Sequence, residues 1–225
     1  MFNMAERWGM HRGTNPVRLV KFLPENNLQF RTLNEADEQR LLEASPPYLR
    51  ELLLFAVNTG LRCGDIFDLM WKEVDLEQKR LSIIMGKTRR KLEVPLNDAA
   101  LAVLEAKQAA KHGPYVFYNP LTGDRFFDLK AGWKAALQRA GLSGITWHTF
   151  RHTFASRLTN SGVDLVTVKE LLGHSTINTT MRYAHSNHDT KARAVAKLPT
   201  SDKIVTVVPR KGEGGNTLVT VSVRR

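Results

Sequence analysis

A chain of 225 residues with 42% hydrophobic side chains is long enough to bury one sizeable core, which excludes a disulfide-stapled miniprotein and an intrinsically disordered chain. A single cysteine, Cys63, rules out an internal disulfide and a cysteine-based zinc site, and makes a reducing cytoplasm the expected compartment. Lys and Arg number 33 against 22 acidic residues, giving a net charge of +11 and a pI near 10.0. A polyanion is therefore the natural partner, and with no signal peptide or bilayer-length apolar run in the sequence no membrane is expected.

In chain order, Met1 to Gly13 reads as a short helix broken at Asn15-Pro16, and a polar linker runs through Pro24-Glu25-Asn26-Asn27. A globular start at about Thr32 is marked by Asn34 as an N-cap with acidic residues in the first turn. Leu49, Leu52, Leu53 and Ala56 keep helical spacing after Pro46-Pro47, and Thr59-Gly60 stops that helix. A short helix begins near Arg62. The runs Leu81-Ile84 and Leu92-Pro95 are strand-like, with a basic turn from Gly86 to Lys91 between them.

Helices then follow from Asn97 to Ala110, Gly132 to Ala140, Trp147 to Asn160, and Asp164 to a stop at Gly173. Ser175 or Thr176 is the expected cap of a last helix that carries Tyr183. Beyond Pro199 the runs Ile204-Val208 and Leu218-Val223 are β-rich and flank a Gly-rich turn, giving a terminal hairpin or a tail that adds to a partner's sheet edge. The fold class is α+β, mainly α-helical, with a small antiparallel β-sheet near residues 80–96. The division is 1–31 as a helix plus linker, 32–198 as the main domain and 199–225 as a β-rich tail.

The chemistry-bearing residues cluster late. In Trp147-His148-Thr149-Phe150-Arg151-His152-Thr153-Phe154, His148 and Arg151 lie three apart on a helix, and Phe150, Phe154 and Leu158 anchor it in the core. His174 stands after a helix-ending glycine in Leu171-Leu172-Gly173-His174-Ser175, and Tyr183 lies in Met181-Arg182-Tyr183-Ala184-His185. Taken singly, each has an ordinary use: a solvated polar pair, a surface histidine, a packed tyrosine. Arg62, in Thr59-Gly60-Leu61-Arg62-Cys63-Gly64-Asp65-Ile66, is by itself a surface salt-bridge residue.

As an ordered set these motifs resemble the tyrosine recombinases of the phage-integrase family, over about Asn15 to His185. The resemblance implies the family's catalytic domain. It makes Tyr183 the nucleophile, Arg62 and Arg151 the clamp on the non-bridging phosphate oxygens, and His174 a further donor. Lys87 becomes the general acid, with Lys91 its rival, and His148 helps accept the tyrosine proton. Two guanidinium groups can each donate two hydrogen bonds to one phosphate, so neither metal nor other cofactor is expected.

Cys63 stands where the family often has arginine, and Asp65 where glutamate is commoner; Asp65 is expected to orient neighbouring groups. Arg89, Arg90 and Lys91 are expected to touch DNA phosphates. The opening segment looks like the last helix of the family's core-binding domain and its linker, so a fragment or a shortened member is implied. The implied partners are double-stranded DNA and further copies of the recombinase, four on DNA for the full-length protein. A type IB topoisomerase-like activity and a non-cleaving DNA-binding module are the alternatives; a general RNA-binding protein finds no aromatic stacking motif in its favour.

Overall fold

The computed structural model describes residues 2–11, 13, 15–21, 30–86, 89–184, 195–196 and 198. Met1–Ala184 forms one compact unit and His185–Arg225 a second. The β-rich runs expected after residue 199 lie outside the described residues, as do Lys87 and Thr88.

Helix α1 (Phe2–Arg7) and a 3-10 turn over Pro16–Leu19 come first. Here α1 is shorter than the stretch from Met1 to Gly13 suggested. It buries none of its side chains, and a helix without a packing face has little to extend it. Helix α2 (Glu35–Ala44) starts where the Asn34 side chain accepts from the Asp37 amide at 2.7 Å, satisfying one of the orphan amides of the first turn.

Helix α3 (Pro47–Thr59) opens on a proline whose missing amide costs a first turn nothing. It buries Leu49, Leu52, Leu53, Phe55, Ala56 and Val57, nearly all the way round, and so becomes the axis of the core. Gly60 closes it with φ 63°, and helix α4 (Cys63–Phe67) follows at once, with Arg62 as its N-cap.

The sheet runs β1 (Val74–Asp75), β2 (Arg80–Ile84) and β3 (Lys91–Pro95), antiparallel in that order. Leu81 pairs with Val94 and Ile83 with Leu92, so the alternation seen in the sequence puts all four on the core face. At two residues, β1 is too short to carry a pattern and was not expected.

Helix α5 (Asp98–Ala109) is capped by Asn97. Helix α6 (Lys130–Ala140) starts two residues before the expected Gly132, because Asp128 Oδ1 accepts from the Lys130 amide at 2.6 Å. Helix α7 (Trp147–Asn160) has the expected bounds, and α8 (Leu165–Leu172) runs from an Asp164 cap to a left-handed Gly173. Helix α9 (Asn178–Met181) corrects an expectation. Neither Ser175 nor Thr176 caps it; Ile177 holds the cap position, while the Thr176 and Thr179 hydroxyls sit 3.3 Å apart. Tyr183 therefore follows the helix end and is not carried on the helix.

Helix α3 packs against α5 and α7, α2 lies on α6, and α8 touches α7, α9 and β3. A second apolar cluster of Ala155, Val168, Leu172 and Tyr183, walled by Phe30, Phe154, Leu158 and Val163, lies beside the main core. Among the described residues, no helix is long and apolar enough to cross a membrane.

Gly60 is required twice. A left-handed φ disfavours any side chain, and a Cβ there would lie 2.4 Å from Phe154 Cδ1. Gly60→Ala should lose about 2–5 kcal/mol of stability from backbone strain and overpacking together. Urea unfolding measures it, and an unchanged midpoint would contradict the packing of α3 against α7.

Candidate active site

Two helix ends and one helix face deliver the charged groups. Past Gly60, Leu61 is buried and Arg62 turns back toward the base of the β2–β3 hairpin. Its Nη1 lies 3.4 Å from Met85 Sδ and 3.7 Å from Asp65 Oδ2. Asp65 Oδ1 accepts from the Gly86 amide at 3.0 Å. Asp65 thus ties Arg62 to the Gly86 amide just past β2. The other oxygen, Oδ2, is buried and without a hydrogen bond, so the carboxylate holds the arginine only by charge. Lys87 itself lies outside the described residues.

Arg151, on the inner face of α7, is 5% exposed. It donates from Nη1 to Gly60 O at 2.7 Å and from Nη2 to Leu172 O at 2.5 Å. Both acceptors are carbonyls at helix C-termini, where partial negative charge gathers. Burial, and then the nearby Arg62, lower its pKa to about 10, so the guanidinium stays charged at neutral pH.

Gly173 brings α8 close to the sheet: a Cβ there would meet Met85 Sδ at 2.5 Å. His174 follows, and its Nδ1 lies 2.8 Å from the buried Thr180 hydroxyl. When that hydroxyl donates, the ring proton stays on Nε2, which is then a donor. Burial first, with Arg151, Arg62, Arg182 and His152 adding to it, pushes the His174 pKa down to about 4.

Tyr183 is 1% exposed, and burial raises its pKa above the ordinary phenol value while Arg151 and Arg182 oppose the rise. Its hydroxyl lies 2.6 Å from His152 Nδ1. No role follows for His152 from the sequence, although it stands inside the motif; nothing local says which of two histidines a turn apart meets a tyrosine 31 positions on. His148 is exposed, its ring 6.5 Å from that of His152. Burial, then Arg182, His148 and Arg151, depress His152 to about 4. Thr180 and Met85 are further site neighbours that no sequence signal marked.

Arg89, Arg90 and Lys91 are exposed on the hairpin, with Lys91 Nζ 2.8 Å from Glu93 Oε1. Arg90, Lys91, Thr167, Lys169 and His174 line a cleft of about 380 Å³ between β3 and α8. Among the described residues, no group of three or more His, Cys, Asp or Glu is placed to hold a metal ion. Burial pushes the Cys63 thiol up to about 12, so it stays protonated and is no rival nucleophile.

Two imidazoles held neutral have a consequence for stability. The unfolded chain takes a proton on each near pH 6.5, whereas the folded chain resists until about 4. Stability should be full above 6.5 and fall as the pH drops toward 4, since the unfolded state then binds more protons. Denaturation midpoints over that range test this; a flat series contradicts the burial of both rings.

The family model described as "Phage integrase family" matches residues 26–190. The chain belongs to the phage integrase family. Arg62, Arg151, His174 and Tyr183, which the fold gathers from four separate segments, all fall inside the matched span.

Among relatives of this family member, the integrase of Salmonella phage P22 is 32% identical over 208 residues, covering 85% of this chain and 53% of that protein. The tyrosine recombinase XerC of Herpetosiphon aurantiacus is 32% identical, covering 83% of this chain and 67% of that one. This integrase-family chain thus spans about half the length of the P22 protein.

Among solved structures, the catalytic domain of bacteriophage HP1 integrase is 27% identical, with a TM-score of 0.61, covering 76% of this chain and 96% of that one. The Tn1549 transposon integrase in complex with transposon right end DNA shares the fold at a TM-score of 0.71 and 17% identity, over 88% of this chain and 75% of that one. The mainly helical domain with a small sheet is therefore the catalytic-domain fold of this family.

Proposed function

We propose that this chain is the catalytic part of a site-specific DNA recombinase that cleaves and rejoins strands through a 3′-phosphotyrosyl intermediate. The observation that carries the reading is one buried tyrosine beside Arg151 and Arg182, its hydroxyl 2.6 Å from one of two histidines held neutral. A buried phenol beside cations is poised for a reaction that begins when an anionic phosphate arrives.

Tyr183 Oη attacks phosphorus. A tyrosyl O–P bond forms, the P–O5′ bond breaks, and the 3′ end stays on the enzyme. Arg62 and Arg151 face the charge of the pentacoordinate transition state with donors already in place, and His174 Nε2–H adds one more. His148, at the exposed rim, takes the tyrosine proton, and Lys87 gives one to the departing 5′ oxygen. A partner strand's 5′ hydroxyl then reverses the steps. The ester keeps the bond energy, so no nucleotide cofactor is used. Double-stranded DNA is the partner, as its solved relative's complex suggests; further copies complete a tetramer in the full-length protein, acting in the cytoplasm. Arg89, Arg90 and Lys91 contact phosphates along the hairpin.

The test is a randomised library of nicked suicide duplexes incubated with the chain in excess chelator. Covalent protein–DNA adducts should form and, once sequenced, name the target. Cleavage that needs a divalent ion and leaves no adduct would point to a metal-dependent nuclease instead.

Lys87 has its own test. Sulfur in place of the bridging 5′ oxygen leaves without a proton. Lys87→Ala should therefore cleave ordinary DNA about 10²–10⁴-fold more slowly and recover on the sulfur-bridged duplex. Recovery by Lys91→Ala instead would transfer the role to Lys91.

A further inference from the structure

The Tyr183 hydroxyl and His152 Nδ1 approach to 2.6 Å, the tyrosine buried and the imidazole half-buried. One proton must lie between them, and the surroundings decide who owns it. Burial keeps it on the phenol. Arg182, His148 and Arg151 all face the imidazole with positive or protonatable groups, and with burial they keep it off His152. Two neutral partners result: the phenol donates, Nδ1 accepts, and the ring carries its own hydrogen on Nε2.

The packing fixes both rings. Phe30 lies 4.9 Å from the His152 ring and 5.1 Å from that of Tyr183, edge-on to the tyrosine. His152 follows Arg151 on α7, and Arg151 is pinned by two carbonyls, so the acceptor stands on a rigid base.

We propose that His152 is a positioning residue for the nucleophile, whose Nδ1 accepts the Tyr183 hydrogen bond and fixes the hydroxyl without taking its proton. The proposal rests on the reading of Tyr183 as nucleophile. It separates two histidines one turn apart: His152 sets where the oxygen points in the resting site, and His148 receives the proton once the arriving phosphate turns the O–H away from Nδ1. A buried hydroxyl deprived of its acceptor seeks another partner, and the ring turns with it.

The first measurement uses the unaltered chain, labelled with ¹⁵N-histidine and ¹³Cζ-tyrosine. At pH 7 the His152 imidazole should be neutral, with hydrogen on Nε2 and an unprotonated Nδ1. Tyr183→Phe should shift that Nδ1 resonance and no other imidazole as strongly. An Nδ1–H tautomer or an imidazolium would overturn the proposal.

The second measurement is the rate of adduct formation on the duplexes selected above. His152→Ala should fall about 10²-fold, the scale of a misplaced reacting atom. His152→Asn puts an oxygen where Nδ1 was and should recover most of that rate; His152→Gln, whose oxygen reaches the Nε2 position, should not. If Asn is as slow as Ala and the pH profile loses its acid limb, His152 is the base and the proposal fails. An adduct that persists in Tyr183→Phe would instead defeat the nucleophile reading, leaving the spectrum of His152 to stand by itself.

Discussion

Tyr183→Phe is expected to form no covalent adduct on suicide duplexes while keeping its fold. The substitution removes one oxygen from a ring that is 1% exposed and packed on Ala155, Val168 and Leu172, so the cluster keeps its apolar volume. What vanishes is the atom proposed to bond to phosphorus. Deleting a covalent nucleophile costs on the order of 10⁶-fold where it has been measured, which places residual adduct below detection. Circular dichroism and DNA retention should match the parent chain. An adduct of undiminished yield would place the nucleophile elsewhere.

Arg151→Ala should damage both stability and chemistry. The guanidinium is the hydrogen-bond partner of Gly60 O and Leu172 O, and its loss leaves two buried carbonyls facing a void. About 3–5 kcal/mol should disappear from the unfolding free energy, the range seen when a buried charged network is broken. Cleavage should fall a further 10²–10³-fold or so at temperatures where the variant remains folded, as for the loss of one donor to developing negative charge. Arg151→Lys should be intermediate in stability, because one ammonium cannot match the planar fork that reaches two carbonyls. If Arg151→Ala unfolds at the parent's denaturant midpoint, the two carbonyl bonds do not hold α3 and α8 together.

Much of this was legible in the sequence where the signal is local. The α7 bounds, Trp147 to Asn160 with Gly162 just past the end, match the helix expected there, and the sheet follows from Leu81 and Ile83 alternating against Leu92 and Val94. Gly60 and Gly173 are visible stops, and both take the left-handed backbone that a stop needs.

The misreadings share a cause. At the start of α9 the Thr176 hydroxyl faces that of Thr179, and Ile177 holds the cap position. Asp128 starts α6 from a position that a search for apolar periodicity passes over. The carbonyl partners of Arg151 lie 91 and 21 positions away, and the partner of Tyr183 lies 31 away. Sequence patterns record neighbours along a helix or strand, whereas these contacts exist only once α3, α7 and α8 have met.

Phe30, ahead of α2, is a wall for the rings of His152 and Tyr183. The placement of Phe30 and that of the tyrosine ring are consequently thermodynamically linked. Moving Phe30 outward by one side-chain width exposes two aromatic faces to water, an outcome disfavoured in proportion to the area uncovered. Whatever stabilises one placement of Phe30 therefore stabilises the matching placement of the tyrosine, and by reciprocity the state of the tyrosine pulls on Phe30. The Tyr183 ring is in this sense tethered to the residues that lead into α2.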